Sequence, residues 1–333
     1  MDSIAVIGAG SWGTTVASIA AASARTVLWA RREELARAIN DTRSNPDYLP
    51  TLSLPPALTA TSDLDRAVEG ADVLVMAVPS HGFRDVFTRI APMLEKATPV
   101  VSLTKGIEQG TLARMTEVIA DVSADHDPAI RGVLSGPNLA AEIVAGHPTA
   151  TVIAMRDPDT AKRLQALFMG PTFRVYTNDD VVGCELAGAL KNVMAIASGM
   201  SDGLGFGDNT RATLLTRALA ELSRLGVALG GRPETFAGLA GMGDLIATCS
   251  SDKSRNYQVG FGLARGKRLE KIIAEMNMVA EGVKTTRSVL GLAERTGVDM
   301  PIATHVGMVL ESEITPKEGV LSLMTREAKR EQR

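Results

Sequence analysis

The N-terminal half of the chain alternates short apolar runs with segments of helical pattern. Continuous apolar runs of this kind are typical of strands buried on both faces of a parallel sheet. After a first strand that starts at residue 3, strands are predicted at residues 25–30, 72–78, 99–103, 132–135, 149–155 and 173–177. A helix is predicted at residues 158–169, and the proline-rich residues 45–56 are expected to form a loop. Strands that alternate with helices predict an α/β domain with helices on both faces of its sheet.

The pattern changes near residue 178. Beyond it, strand signals fade, and segments rich in alanine and leucine predict helices at residues 181–200, 209–229 and 281–295. We therefore expect two domains, residues 1–178 and residues 179–333. The first is a Rossmann-type domain with a mostly parallel sheet, and the second is all-helical.

A glycine motif follows the first predicted strand. Gly8, Gly10 and Gly13 form G-x-G-x-x-G between an apolar run and a helical segment. Gly8 permits the tight turn, Gly10 lets the backbone approach a pyrophosphate, and Gly13 allows the helix to pack closely on the strand. The free N–H groups of the helix N-terminus would then face the phosphates. This context predicts a dinucleotide site rather than a glycine-rich turn without a ligand.

The residues after the second predicted strand bear on which dinucleotide binds. Sites for NAD usually have an acidic residue there, which accepts hydrogen bonds from the ribose. This chain has Arg31 and Arg32 instead, and guanidinium groups suit a 2′-phosphate. We therefore expect NADPH as cofactor, with NADH possible. The alternative is that these arginines only begin a solvated helix.

Composition and charge narrow the classes of function. The 333 residues are 45% hydrophobic and 22% charged, with a net charge of −3. This balance gives no reason to expect nucleic acid or an acidic membrane surface as partner. The two cysteines, Cys184 and Cys249, are not spaced as metal ligands, and the four histidines are scattered along the chain. Neither a disulfide framework nor a metal site is therefore expected. With no room for a signal peptide and no apolar run approaching ~20 residues, we expect a cytoplasmic protein.

Polar residues follow three of the predicted strands. Ligands of open parallel sheets bind beyond the carboxyl ends of the strands. Lys105 lies just past one strand, and this position favours a role in ligand binding over that of a solvated loop lysine. Residues 136–138 follow another strand. His81 follows a third, where it could act as a general acid or merely border the cofactor.

The only charged residues of the predicted helix at residues 181–200 are Glu185 and Lys191. They are six residues apart, so they lie on different faces and cannot form a local ion pair. Lysine is rarely buried without a partner. Lys191 therefore either extends its side chain to water or lines a cleft, where it could donate a proton.

A third constellation lies in residues 238–256. A glycine-rich stretch leads to Asp244, and Ser254, Arg255 and Asn256 follow. The latter three could start a helix and offer hydrogen-bond donors to a phosphate. A flexible loop with a surface arginine is the alternative.

Taken in order, these motifs resemble the bacterial-type NAD(P)-dependent glycerol-3-phosphate dehydrogenases. The resemblance extends along nearly the whole chain and is far more specific than any single motif. It rests on residues 8–14, 45–50, 77–80, 103–108, 135–140, 189–199, 207–221, 238–245 and 254–256.

The resemblance implies reversible hydride transfer between NAD(P)H and dihydroxyacetone phosphate, giving sn-glycerol 3-phosphate for phospholipid synthesis. It implies a helical second domain similar to that of 6-phosphogluconate dehydrogenases, and a homodimer. By similarity, Lys191 is the catalytic acid/base. The residues implied to bind substrate are Lys105, Gly136, Asn138, Lys191, Asp244, Ser254, Arg255 and Asn256. Those implied to bind cofactor are Gly8, Gly10, Ser11, Trp12, Gly13, Arg31, Arg32, Tyr48, Lys105, Ala140, Arg255, Val279 and Glu281.

One position departs from the family. Asn138 stands where members commonly have serine or threonine, which puts its direct substrate contact in doubt. Two other functions remain as alternatives. One is a β-hydroxyacid or ketopantoate-type NADPH reductase, which shares both domains and the helix lysine. The other is an NADPH-binding sensor without chemistry, which would need none of Lys191, Asp244 and Arg255.

Overall fold

The computed structural model describes residues 1–276, 280–328 and 330–331. Within these residues, eight strands form one sheet in the order β3-β2-β1-β4-β5-β6-β7-β8. The strands are β1 (Ser3–Ile7), β2 (Arg25–Trp29), β3 (Leu58–Thr61), β4 (Val73–Met76), β5 (Val100–Ser102), β6 (Arg131–Ser135), β7 (Thr149–Ala154) and β8 (Phe173–Asn178).

The first six strands of this order are parallel, and only β7 pairs antiparallel, with β6. The carboxyl ends of β1, β4, β5 and β6 therefore meet at one edge of the sheet. The strand order reverses at β1, which pairs with β2 on one side and β4 on the other. A crevice at such a reversal is where open α/β sheets bind ligands.

The predicted strands are all present, with ends that shift by two residues at most. β3 was not predicted. It has four residues in which exposed and buried positions alternate, so it lacks a continuous apolar run. The predicted loop at residues 45–56 contains no helix or strand beyond one isolated bridge between Asn45 and Leu49.

Helices cover both faces of the sheet. They are α1 (Ser11–Ala20), α2 (Glu33–Thr42), α3 (Leu64–Val68), α4 (Ser80–Ile90), α5 (Met115–Val122), α6 (Ala140–Val144) and α7 (Pro158–Phe168). Because side chains alternate along a strand, β1 contributes Val6 to one apolar cluster and Ile7 to another. Phe168 of α7 lies in the first cluster, and Phe83 of α4 lies in the second.

The rest of the described chain is mostly helical. Its α-helices are α8 (Val181–Gly203), α9 (Asp208–Ala228), α10 (Pro233–Ala237), α11 (Asp244–Cys249), α12 (Arg255–Ala264), α13 (Leu269–Glu275), α14 (Glu281–Thr296), α15 (Pro301–Leu310) and α16 (Pro316–Met324). A π-helix at Leu239–Gly243 leads into α11. The three helices predicted here correspond to α8, α9 and α14. The boundary at residue 178 lies between the end of β8 and the start of α8, and it stays a prediction.

α8 is the central helix of the helical domain. By length and composition alone it is apolar enough to cross a membrane, so the expectation that no run approaches this length was wrong. Within the protein, however, 89% of its most apolar window is buried, as in a core helix. It packs so closely against α12 that a Cβ at Gly260 would lie 1.9 Å from the Ile196 carbonyl oxygen. This contact fixes the start of α12 relative to Lys191.

Candidate active site

The glycine turn after β1 has the geometry that its motif predicts. Gly8 has φ +124°, and a Cβ there would lie 2.7 Å from the carbonyl oxygen of Ala77. A Cβ on Gly13 would lie 1.9 Å from the Gly8 carbonyl oxygen, so α1 can approach β1 only with glycine there. Gly10 has open space within 4 Å, and no side chain caps α1 there. The turn therefore fits a pyrophosphate at the helix N-terminus.

The proline-rich loop is fixed against this turn by Asn45, a buried residue that the sequence analysis did not single out. Its Nδ2 donates to the Ala9 carbonyl oxygen at 3.0 Å and to Thr14 Oγ1 at 2.8 Å. This holds the loop that carries Tyr48 beside the candidate nucleotide site. Trp12 lies in the same region, and its buried Nε1 has no hydrogen-bond partner among the described residues. A buried donor without a partner is costly, so a ligand acceptor would suit this position.

Arg31 and Arg32 are separated from the end of β2 only by Ala30, and both are exposed to solvent. Arg32 forms an ion pair with Asp47 of the loop. Two guanidinium groups therefore lie where a dinucleotide ribose is expected, with Asp47 paired to one of them and Glu33 and Glu34 following in α2. The forked donors of Arg31 and Arg32 are compatible with a 2′-phosphate.

Three charged side chains meet where the sheet contacts the helical domain. Lys105 follows β5, Lys191 lies within α8, and Asp244 begins α11. The Asp244 carboxylate accepts from Lys105 Nζ at 2.6 Å and from Lys191 Nζ at 2.9 Å. The side chain of Lys191 is 7% exposed and that of Lys105 is 17% exposed. Lys191 therefore does not extend into bulk water but lies inside the interdomain junction.

Further hydrogen bonds hold both ammonium groups. Lys105 Nζ donates to the Gly136 carbonyl oxygen at 2.9 Å, and Lys191 Nζ donates to Thr248 Oγ1 at 2.5 Å. Thr248 also donates to Asp244 Oδ1 at 3.1 Å. Sequence reasoning missed Thr248, although it lies four residues after Asp244 and so on the same face of α11.

Burial and charge shift the pKa values of this cluster in a consistent way. Burial lowers the pKa of Lys105 to about 8; the Asp244 carboxylate opposes this effect, and the Lys191 ammonium adds to it. Burial disfavours the charged form of Asp244, but the two ammonium groups outweigh it and hold the pKa of this carboxyl below its usual value. The cluster thus carries a stable anion between two cations.

A chain of amides lies beside the charged cluster. Asn192 Nδ2 donates to the Lys105 carbonyl oxygen at 2.9 Å, and Asn256 Nδ2 donates to Asn192 Oδ1 at 2.9 Å. The Gly282 N–H donates to Asn256 Oδ1 at 2.9 Å. The chain connects α8, α12 and α14 to the backbone of Lys105. Asn192 was not singled out from the sequence, although it lies next to Lys191 within the motif at residues 189–199.

The first turn of α12 carries the predicted Ser254, Arg255 and Asn256. The buried Ser254 caps the helix by accepting from the Tyr257 N–H at 3.4 Å. Desolvation by the surrounding protein lowers the pKa of the Arg255 guanidinium, whereas the charges of Glu281 and Tyr48 act in the opposite direction. The helix N-terminus and Arg255 together make a suitable anion site.

Glu281 connects the two halves of the molecule. At the start of α14, its carboxylate accepts from the Ser80 N–H at 3.1 Å and from Ser80 Oγ at 2.6 Å. Ser80 begins α4, at the carboxyl end of β4. Val279, predicted with Glu281 as a cofactor residue, lies outside the described residues. His81 is exposed and takes no part in the charged cluster.

The segment after β6 carries Gly136, Asn138 and Ala140. Gly136 has φ +151° and directs its carbonyl oxygen to Lys105. Asn138 Nδ2 donates to Thr151 Oγ1 at 3.0 Å, and its buried Oδ1 has no partner in the described chain. Its amide is therefore not bonded to the charged cluster. Ala140 begins α6, which no side chain caps.

A nucleotide-binding glycine turn, a helical domain and two ammonium groups at their junction define an NAD(P)-dependent dehydrogenase. Comparison with known proteins narrows this class. Residues 3–161 match the model of the N-terminus of NAD-dependent glycerol-3-phosphate dehydrogenase, and residues 180–321 match that of its C-terminus. The chain belongs to the NAD(P)-dependent glycerol-3-phosphate dehydrogenase family.

Relatives of full length support this assignment. The chain is 56% identical over 312 residues to glycerol-3-phosphate dehydrogenase [NAD(P)+] 2 of Sphingopyxis alaskensis, covering 94% of this chain and 93% of the relative. It is 50% identical over 331 residues to the enzyme of Geobacter sulfurreducens, covering 99% of both chains. The crystal structure of glycerol-3-phosphate dehydrogenase from Coxiella burnetii has a TM-score of 0.92 at 37% identity, covering 98% of this chain and 99% of the other.

A solved structure named for another activity is more distant. A ketopantoate reductase from Ralstonia eutropha has a TM-score of 0.58 at 17% identity, covering 96% of this chain and all of the other. This likeness shows a shared fold alone. The ketopantoate-type and sensor alternatives are therefore not favoured.

Proposed function

We propose that the protein reduces dihydroxyacetone phosphate reversibly to sn-glycerol 3-phosphate, with NADPH as its preferred cofactor. The observation that carries this proposal is the buried cluster in which Lys105 and Lys191 share the Asp244 carboxylate. Family membership indicates which substrate is reduced, and the cluster contains charged groups suited to a ketone that bears a phosphate. The product would serve glycerophospholipid synthesis.

The cofactor would be held at the carboxyl edge of the sheet. The glycine turn, Ser11 and Trp12 would bind its pyrophosphate region, and Arg31, Arg32 and Tyr48 would bind its adenosine end. Lys105, Ala140, Arg255 and Glu281, with Val279, would complete the site. When bound, the reduced nicotinamide supplies a hydride to the carbonyl carbon of the substrate.

Lys191 would act on the carbonyl oxygen. As hydride arrives, negative charge develops on that oxygen, and a nearby ammonium stabilises it and delivers the proton. Asp244 and Thr248 hold Lys191 Nζ in one orientation, so little reorganisation is needed at the moment of transfer. In the reverse direction, the neutral amine would accept the proton of the alcohol.

The phosphate would bind at the start of α12. Arg255 offers forked donors, and the helix N-terminus of Ser254 and Asn256 adds its partial positive charge. Lys105 would lie between substrate and cofactor, and Gly136 would border the substrate. Nδ2 of Asn138 would reach the substrate only after leaving Thr151, whereas its Oδ1 has no partner among the described residues and could accept from the substrate directly.

We also propose a cytoplasmic homodimer. Both cysteines are free and buried, which suits a reducing compartment. A cavity of ≈ 1190 Å³ between α9, α15 and α16 is lined mostly by apolar side chains. Nearby on α16, Leu321 is 62% exposed and Met324 is 76% exposed. Apolar surface of this kind marks association sites, and light scattering that gave a monomer at all concentrations would contradict the dimer.

The direct test is oxidation of NADPH by the purified protein in the presence of dihydroxyacetone phosphate. Dihydroxyacetone and ketopantoate serve as substrates that lack the phosphate of the triose. We expect turnover only with the phosphorylated ketone. Equal activity with ketopantoate would favour the reductase alternative, and NADPH binding without turnover of any ketone would favour a sensor.

Variants separate the assigned roles. Lys191→Ala should lower kcat by at least ~100-fold while NADPH binding survives, because the proton donor is lost but the sheet domain is intact. Arg255→Ala should mainly raise the KM for the phosphorylated ketone. Lys162→Ala, at an exposed lysine of α7, is the matched control and should change neither quantity. Near-normal turnover of Lys191→Ala would refute the catalytic role.

A further inference from the structure

A second charged residue of α8, Glu185, is buried against the sheet domain. Its side chain is 1% exposed. Its carboxylate accepts from the Thr116 N–H at 2.8 Å, from Thr116 Oγ1 at 2.6 Å and from Arg114 Nη1 at 2.8 Å. All these donors lie at the start of α5, so the carboxylate joins α8 of the helical domain to the sheet domain.

The same helix is joined to the sheet domain at a second point. Asn192 donates to the carbonyl oxygen of Lys105. Lys105 is the first residue of the segment 105–116, and Thr116 is its last. Between these points, Ile107 of this segment packs in the apolar core of the helical domain. α8 is therefore hydrogen-bonded to both ends of the segment that carries Lys105.

The close approach of α8 to this segment leaves little tolerance. A Cβ on Gly188 would lie 2.8 Å from Ser135 Oγ and 3.4 Å from Lys105 Cγ. Glu185 and Lys191 are six residues apart, or about 9 Å along the helix axis. A contact that fixes Glu185 therefore sets the axial position and the rotation of the turn that carries Lys191.

We propose that Glu185 is a positioning residue for proton transfer by Lys191. By anchoring α8 on Arg114 and Thr116, it sets Lys191 Nζ at its place relative to Lys105 and the bound ketone. This inference rests on the proposed reduction of dihydroxyacetone phosphate. It adds a residue that touches neither substrate nor cofactor but controls the geometry of the group that does.

Glu221 offers a matched control for burial. It is 2% exposed, and its carboxylate accepts from the Ile302 N–H at 2.8 Å and from the Ala303 N–H at 3.4 Å. Like Glu185 it is a buried carboxylate at a helix N-terminus, but its partners lie within the helical domain. Replacement of either carboxylate perturbs a buried set of hydrogen bonds, whereas only loss of Glu185 should change the interdomain geometry.

The experiment compares Glu185→Gln and Glu221→Gln with the wild type. It measures kcat and KM for dihydroxyacetone phosphate, the Kd for NADPH, and the midpoint of thermal unfolding. Because displacement of a catalytic group by about 1 Å can cost 100-fold in rate, we expect kcat of Glu185→Gln to fall roughly 10- to 100-fold. The Kd for NADPH should stay within about twofold, and Glu221→Gln should keep wild-type kcat.

The outcomes are distinguishable. If Glu185→Gln keeps the wild-type kcat, or if both variants lose kcat equally, the positioning role is overturned and the proposed function stands. If the wild type itself fails to reduce dihydroxyacetone phosphate, the proposed function fails first. Should Glu185→Gln not fold, Thr116→Ala removes one donor and should lower kcat about threefold with unchanged NADPH binding. An unchanged kcat in Thr116→Ala would then overturn the inference.

Discussion

Replacement of Asp244 by asparagine tests the charged cluster most directly. The side chain keeps its shape, but the net charge of the cluster changes from +1 to +2. Lys105 Nζ at 2.6 Å and Lys191 Nζ at 2.9 Å lose their shared anion. Removing one partner of a buried ion pair costs about 3–5 kcal/mol, because the remaining charges stay without compensation.

The same substitution should change the pH dependence of substrate binding. The pKa of Lys105 is lowered to about 8 by burial, and the Asp244 carboxylate opposes this lowering. Lys105 of the wild type should thus lose its charge as pH rises through about 8, and kcat/KM for the phosphorylated ketone should fall over that range. In Asp244→Asn the pKa of Lys105 should be lower still, so the fall should begin at lower pH.

The assay is a profile of kcat/KM from acid to alkaline pH, with thermal unfolding measured in parallel. If this free energy is lost from the stabilisation of the transition state, kcat/KM at neutral pH should fall roughly 200- to 5,000-fold. Asp299→Asn is the control, since Asp299 pairs with Arg326 at the surface and such pairs contribute about 1 kcal/mol or less. A wild-type pH profile in Asp244→Asn would refute this account of the cluster.

Three further predictions concern other parts of the molecule. Gly188→Ala should clash with Ser135 Oγ, 2.8 Å from the added Cβ, press against the Lys105 side chain and lower kcat/KM by about tenfold or more while the protein stays folded; unchanged kinetics would contradict the close packing. Replacing Arg31 and Arg32 by alanine should raise the Kd for NADPH more than that for NADH, as titration of both cofactors would measure; equal effects would remove these arginines from the 2′-phosphate site. Burial raises the pKa of Glu221 to about 7, so the folded state holds the proton more tightly than the unfolded state. Stability from this group is present below its ordinary pKa and is lost as pH rises through about 7, and Glu221→Gln should flatten that loss in urea unfolding between pH 4.5 and 7.

Much of the sheet domain could be predicted from local pattern. Its central strands are continuous apolar runs, and the glycine motif at Gly8 requires one particular backbone geometry. β3 was not predicted because a short strand in which exposed and buried positions alternate resembles a loop when it follows proline-rich residues. The role of Asn45 was not predicted because its partners, Ala9 and Thr14, lie far away in sequence.

The candidate site could be predicted only in parts. Lys105, Lys191 and Asp244 were singled out individually, but their contacts span 139 and 53 residues of sequence. Helical spacing cannot reveal such pairs, so whether Lys191 meets water or a cleft stayed open until the fold was known. Thr248 could have been found from its spacing to Asp244, whereas the place of Asn192 depends on how α8 meets the segment after β5.

The glycine contact between α8 and α12 limits how this enzyme can diverge. A methyl group at Gly260 would overlap the backbone of α8, and one at Gly199 would lie 2.0 Å from the Tyr257 carbonyl oxygen. Neither position can accept a larger residue unless the two helices separate. While both glycines are kept, the helices can stay in contact, and the contact sets the span between Lys191 and the start of α12 and with it the length of molecule that fits between them.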